Sequence, residues 1–94
     1  MSELARQIER FLDARRRENV SENTLRAYAA DLRQFLEYLS PADSGPPALR
    51  EIDLLTLREW LADLYRTKLS AVSLRRKLAA LRSFFKFLLR EHLV

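Results

Sequence analysis

Apolar residues recur along this chain three and four positions apart, which is the spacing that places side chains on one face of an α-helix. The pattern predicts four helices, over about residues 3–18, 22–39, 54–66 and 71–92. Each of these stretches follows a residue of a type that caps helix N-termini, namely Ser2, Ser21, Asp53 and Ser70. All three prolines and the only glycine fall within residues 40–52, which we interpret as the one long loop.

Each predicted helix has an apolar face that we expect to enter a core. On the first three helices this face comprises Leu4, Ile8, Phe11 and Leu12, then Leu25, Tyr28, Ala29, Leu32, Phe35, Leu36 and Leu39, then Leu54, Leu57, Trp60, Leu61 and Leu64. On the fourth it comprises Leu74, Leu78, Leu81, Phe85, Leu88 and Leu89, with Phe84 and Phe87 beside it. We therefore predict an all-α fold, a four-helix bundle of two packed helical hairpins, as a single domain over residues 1–94.

The charge of the chain is unevenly distributed. The net charge is +4, yet residues 1–66 contain ten Lys or Arg and twelve Asp or Glu, whereas residues 67–94 contain seven basic residues and one acidic residue. Positive charge concentrated in one helix indicates a surface for a polyanion.

Two helices carry a basic row beside the apolar face. On the fourth helix the row is Arg75, Ala79, Arg82, Lys86 and Arg90, and on the second it is Arg26, Ala30 and Arg33. The small alanine permits close approach of the helix, while the long cationic side chains reach phosphates on either side. The rows therefore predict nucleic-acid binding.

The two halves of the chain are similar in sequence. Shifted by 49 positions, residues 24–39 match residues 73–88 at seven of sixteen positions, including arginines as well as leucines. We interpret this as two helical hairpins around a pseudo-two-fold axis, each presenting its second helix to the same partner.

Residue types that carry out catalysis or bind metals are scarce. There is no cysteine and one histidine, His92, which excludes the usual nucleophile–base pairs and His/Cys metal sites. Gly45 alone cannot form a glycine-rich phosphate loop. The carboxylates of Asp53, Glu59 and Asp63 fall on the exposed side of the third helix. We predict no catalytic residue, no metal and no cofactor.

The chain contains no apolar run approaching the ~20 residues that cross a bilayer and no apolar signal segment at its N-terminus. The absence of cysteine is compatible with a reducing compartment. We therefore predict a cytoplasmic protein without a membrane partner.

Three segments share their order and spacing with a known family: Ser21-x-Asn23-Thr24-Leu25-x-x-Tyr28, Asp31-Leu32-x-x-Phe35 and Leu78-Ala79-Ala80-Leu81-Arg82-Ser83-Phe84-Phe85-x-Phe87-Leu88. They resemble the N-terminal core-binding domain of the tyrosine recombinases, the phage-integrase and Xer-type site-specific recombinases. The likeness is greatest to the Xer branch, which resolves chromosome dimers. The resemblance implies a four-helix SAM-like bundle that forms one jaw of a clamp on duplex DNA, with its second and fourth helices facing the major groove.

The resemblance also implies which residues contact DNA. They are Ser21, Asn23, Thr24 and Arg26 at the start of the second helix, and Arg75, Arg76 and Arg82 on the fourth. From the helical wheel we add Arg33, Lys77 and Lys86. Ser21 is interpreted first as an N-cap, and Arg75 and Arg76 as arginines able to reach guanine edges. The expected partners are double-stranded DNA and, in the full-length protein, other recombinase subunits.

In the family that the chain resembles, catalysis belongs to a separate C-terminal domain with two arginines, a lysine, a histidine-rich pair and a tyrosine nucleophile. None of that pattern occurs here. We therefore expect a DNA-binding domain that is not itself an enzyme, from a parent that acts in DNA integration, recombination or chromosome dimer resolution.

Two alternatives remain open. The first is a helical protein-interaction module, which requires an exposed apolar patch around Phe87 and Leu93–Val94 and binding that varies little with salt. The second is an enzyme fragment whose missing domain completes a site that uses His92.

Overall fold

A computed structural model of the chain describes residues 2–40 and 45–94. Over these residues the chain forms α1 (Glu3–Arg17), α2 (Glu22–Tyr38), a 3-10 turn (Leu49–Glu51), α3 (Leu54–Arg66) and α4 (Ala71–Arg90), and no strand. The all-α prediction is therefore confirmed, with helix bounds within two residues of those expected. Residues 41–44 of the predicted loop and the side chain of Leu54 lie outside the described part of the chain.

Each α-helix begins with a side-chain cap at the position that the sequence predicts. The hydroxyl oxygens of Ser2, Ser21 and Ser70 accept hydrogen bonds from backbone N–H groups three residues later, at 3.1, 3.2 and 3.1 Å. Oδ1 of Asp53 accepts a hydrogen bond from the backbone N–H of Thr56 and another from the Thr56 hydroxyl, both at 3.0 Å. These hydrogen bonds lower the pKa of the Asp53 carboxyl below its ordinary value, because they stabilise the ionised form.

α4 ends in a Schellman turn two residues before the predicted end. His92 lies in the left-handed region with φ of 58°. Its N–H donates to the carbonyl of Leu89 at 3.1 Å, and the N–H of Leu93 donates to the carbonyl of Leu88 at 2.9 Å. These bonds satisfy the last carbonyls of the helix, so His92 has a structural role in ending α4 at Arg90.

The core lies where α1, α2 and α4 meet. α1 packs against α2 and α4, α2 packs against α4, and α3 packs against α4. The ring of Phe11 lies edge-to-face with Phe84 and Phe87, at centroid distances of 5.6 and 5.7 Å. α3 enters this core through Trp60, whose ring lies 5.1 Å from that of Phe35. The aromatic contacts join α1 to α4 and α3 to α2, and α2 also packs directly against α4, so these two helices lie next to each other.

The buried face of α4 differs from the predicted one. The buried residues are Lys77, Ala80, Leu81, Phe84, Phe87 and Leu88. Leu89 is 59% exposed, and Leu74, Leu78 and Phe85 are only half-buried. Counted at 100° per residue, the helix is rotated by roughly a quarter turn from the expected orientation. In this orientation Phe84 and Phe87 both pack against the ring of Phe11, and Lys77 reaches the buried carboxylate of Asp31.

The same rotation removes the apolar patch that the protein-interaction alternative requires. Phe87 is 7% exposed and belongs to the core, and Leu93 packs against that core. Of the expected patch, Val94 is the exposed residue, at 43%. That patch is therefore wrong as a docking surface.

Candidate nucleic-acid interface

The α4 basic row, Arg75, Ala79, Arg82, Lys86 and Arg90, is exposed at every position. It lies on the side of α4 opposite the buried face, because both sets follow the helical repeat. Within the described residues, none of its four cations takes part in an ion pair. The row therefore presents four cations to solvent, of which Arg90 lines a cleft that Asp13, Glu18 and Glu91 also line.

The α2 row, Arg26, Ala30 and Arg33, is also exposed, but both of its arginines face carboxylates. Nη2 of Arg26 lies 3.5 Å from Oε2 of Glu22, and Nη2 of Arg33 lies 3.3 Å from Oε1 of Glu9 in α1. Exposed pairs of this kind contribute little to stability, so the arginines can exchange them for phosphates at small cost. The α2 row is nonetheless less positive than the α4 basic row.

At the start of α2 the predicted contact residues lie close together. The Ser21 hydroxyl caps the helix and donates to the hydroxyl of Thr24 at 2.9 Å. Asn23 is exposed and Thr24 is half-buried. The N-terminus of a helix favours anions, because its backbone N–H groups and dipole point toward them. Asn23 and Thr24 therefore lie where a phosphate is favoured.

A buried cluster of charged residues joins α2 to α4. The carboxylate of Asp31 is 1% exposed. Its two oxygens accept hydrogen bonds from Nε and Nη2 of Arg76, both at 3.0 Å, and from Nζ of Lys77 at 2.8 Å. Lys77 also donates to the side-chain oxygen of Gln34. We call Asp31, Gln34, Arg76 and Lys77 the Asp31 cluster.

The cluster changes the assignment of two predicted DNA contacts. The side chain of Lys77 is 5% exposed, and its ammonium group donates hydrogen bonds to Asp31 and Gln34. The expectation that Lys77 lies on the DNA-facing surface is therefore wrong. The side chain of Arg76 is 46% exposed, so it is bonded to Asp31 on one edge and reaches solvent on the other. The hydrogen bonds and charge of Asp31 raise the pKa of Arg76 further above its ordinary value.

Asp31 is the residue that sequence reasoning missed, although a signal was present. It lies three residues after Tyr28 and four before Phe35, within the apolar face of α2. Lys77 similarly lies four residues before Leu81 on α4. An acid on one apolar face and a base on another predict a buried ion pair, because an unpaired buried charge is very costly.

Beside the α4 basic row, the apolar side chains of Leu57, Leu78, Phe85 and Leu89 line a shallow groove between α3 and α4.

The described part of the chain contains no group of three or more His, Cys, Asp or Glu residues placed to hold a metal ion. Among the helices described, none is long and apolar enough to span a membrane.

Comparison with known proteins gives a family match. The family described as phage integrase, N-terminal SAM-like domain matches residues 8–92. No solved structure gives a significant match.

Several curated relatives are tyrosine recombinases. The chain is 38% identical over 93 residues to tyrosine recombinase XerC of Syntrophus aciditrophicus, covering 94% of this chain and 29% of that protein. It is 41% identical over 91 residues to XerC of Pelobacter propionicus, covering 96% of this chain and 30% of the relative. It is 47% identical over 73 residues to XerC of Methylobacterium nodulans, covering 76% of this chain and 23% of the relative. The chain thus spans less than a third of the length of these relatives.

Proposed function

We propose that this chain, which belongs to the phage integrase N-terminal SAM-like domain family, binds duplex DNA, mainly through the α4 basic row. One observation carries the proposal: four cations lie exposed along one side of α4, without ion pairs among the described residues, directly opposite the core. Because family membership alone does not identify the binding face, the position of these cations is the argument for α4.

The dimensions of the row suit a duplex. At a rise of 1.5 Å per residue, Arg75 and Lys86 lie roughly 16 Å apart along α4, which exceeds the ~12 Å width of the major groove. Cations near the two ends can therefore contact phosphates on both strands while Ala79 leaves room for the backbone. Asn23, Thr24, Arg26 and Arg33 supply a second, weaker set of contacts from α2.

We propose no reaction for this chain by itself. Its relatives are named tyrosine recombinases, and the three cited above are each more than three times as long as this chain. Site-specific recombination, including chromosome dimer resolution, is proposed for the full-length protein, with other recombinase subunits as its partners. Within it, this domain contributes DNA contacts, and a second DNA-binding part of the parent would add affinity by avidity.

The proposal is tested by measuring binding of the wild-type chain to a fluorescently labelled duplex of about 30 base pairs across a salt series. Binding of this kind follows counterion release, with log K falling against log salt by about 0.9 for each phosphate neutralised. We expect a slope of about −4 to −6, since four unpaired cations and the α2 residues contribute. Absence of binding at low salt would overturn the proposal and favour a protein-interaction module instead. Duplex binding that does not weaken with salt would overturn the assignment of phosphate contacts to the α4 basic row.

A further inference from the structure

The Asp31 cluster has an excess of positive charge. Two cations, Arg76 and Lys77, share the single carboxylate of Asp31. Lys77 is sealed from solvent, whereas the Arg76 side chain is 46% exposed. Since charges in and beside a protein interior are screened less than charges in water, the unbalanced charge attracts an anion at the exposed edge of Arg76.

The geometry of Arg76 leaves that edge available. Asp31 binds Nε and Nη2 of the guanidinium, at 3.0 Å each. Nη1 makes no hydrogen bond with the residues that the structure describes. A guanidinium held on one edge cannot rotate freely, so its opposite edge points in a fixed direction, and less side-chain entropy is lost when that edge binds a ligand.

We propose that Asp31 is a positioning residue for DNA binding: it holds the Arg76 guanidinium so that its free edge meets a phosphate of the duplex. This inference rests on the proposed function. Arg76 follows Arg75 of the α4 basic row directly in the chain, so both residues lie on the same turn of the helix. Asp31 acts through Arg76 and does not touch the DNA.

For the change in DNA affinity on replacing Asp31 by Asn, the proposal and the change in net charge predict opposite signs. Replacing Asp31 by Asn raises the net charge from +4 by one unit, which by counterion release alone strengthens DNA binding. If Asp31 positions Arg76, the same change weakens binding despite the added charge. Glu37→Gln is the matched control, because Glu37 is an exposed residue of α2 and forms no ion pair within the described residues.

The experiment measures the affinity of wild type, Asp31→Asn and Glu37→Gln for the labelled duplex across the salt series, with folding checked by circular dichroism. We expect Asp31→Asn to bind about tenfold more weakly, the effect of one charge-assisted hydrogen bond, and its salt slope to fall by about 0.9. Glu37→Gln should bind as tightly as wild type or more tightly. A folded Asp31→Asn that gains affinity like the control overturns the proposal.

Arg76→Lys keeps the test decisive if Asp31→Asn does not fold. This variant leaves the net charge unchanged, and half of the Arg76 side chain is already in solvent. A lysine cannot bind a carboxylate on one edge and a phosphate on the other in a fixed plane, so we expect about tenfold weaker binding. Wild-type affinity in Arg76→Lys overturns the positioning proposal. If the wild-type chain does not bind the duplex, the proposed function fails. If the wild-type chain binds and the variants bind equally well, only the positioning proposal fails.

Discussion

Lys77 and Lys86 lie nine residues apart on the same helix, yet their ammonium groups have opposite environments. Lys77 is bonded to Asp31 and buried, and Lys86 is exposed in the α4 basic row. The same residue type therefore has a structural role at one position and a proposed binding role at the other.

Replacing each lysine by methionine separates these roles, since both changes remove one positive charge. Lys86→Met should weaken duplex binding several-fold and reduce the salt slope by about 0.9. Lys77→Met should leave the salt slope unchanged and weaken binding less than Lys86→Met does, because the buried ammonium group contacts no phosphate and contributes only through the excess positive charge of the Asp31 cluster. It should also alter the free energy of unfolding by less than about 1.5 kcal/mol, since methionine fills the space and Asp31 keeps Arg76 as a partner. Equal losses of DNA affinity in the two variants would place Lys77 on the interface after all.

The residue scale also shows what could be predicted from the sequence. The caps at Ser2, Ser21, Asp53 and Ser70 were predictable, because capping depends on residues three positions apart in one chain segment. Asp31 and Lys77 on apolar faces indicate that a buried ion pair exists, but the particular bonds of Asp31 to Arg76 and Lys77 were not predictable, since they join residues 45 and 46 positions apart. They depend on how α2 and α4 rotate about their own axes, which periodicity alone does not determine.

At the scale of the helix, α4 shows how a correct element can be assigned a wrong orientation. Its length and its cap follow from the pattern, but apolar residues occupy so wide an arc of the helix that two buried faces are compatible with it. The choice between them is made by Phe11, which packs edge-to-face against Phe84 and Phe87. The basic row was nevertheless predicted on the exposed side, since it is exposed in either orientation.

Two adjacent leucines test this orientation with the same substitution. Leu88 is 0% exposed and Leu89 is 59% exposed. Leu88→Ala should lower the free energy of unfolding by about 2–5 kcal/mol, because it leaves a cavity in the core. Leu89→Ala should lower it by less than about 0.5 kcal/mol, as is usual at an exposed position. Urea denaturation followed by circular dichroism gives both values, and a larger loss at Leu89 would restore the face predicted from the sequence.

At the scale of the whole molecule, the internal repeat is only partly reflected in the packing. α1 buries five residues, Leu4, Gln7, Ile8, Phe11 and Leu12. α3, its counterpart in the repeat, buries Trp60 among the side chains that the structure describes. The two basic rows also differ, because both arginines of the α2 row form ion pairs and, within the described residues, no cation of the α4 basic row does. The similar sequences therefore form unequal surfaces, and α4 has the larger share of the available positive charge.

The measurement that tests the central claim most directly compares two charge-reversed variants for duplex binding at low salt. Arg75→Glu with Arg82→Glu changes the α4 basic row. Arg58→Glu with Arg66→Glu changes two exposed residues of α3 and alters the net charge by the same four units. We expect the α4 variant to lose about a hundredfold in affinity, with a salt slope smaller by about 1.8, and the α3 variant to lose less than about tenfold. Equal losses in two folded variants would show that net charge, and not the α4 basic row, accounts for the binding.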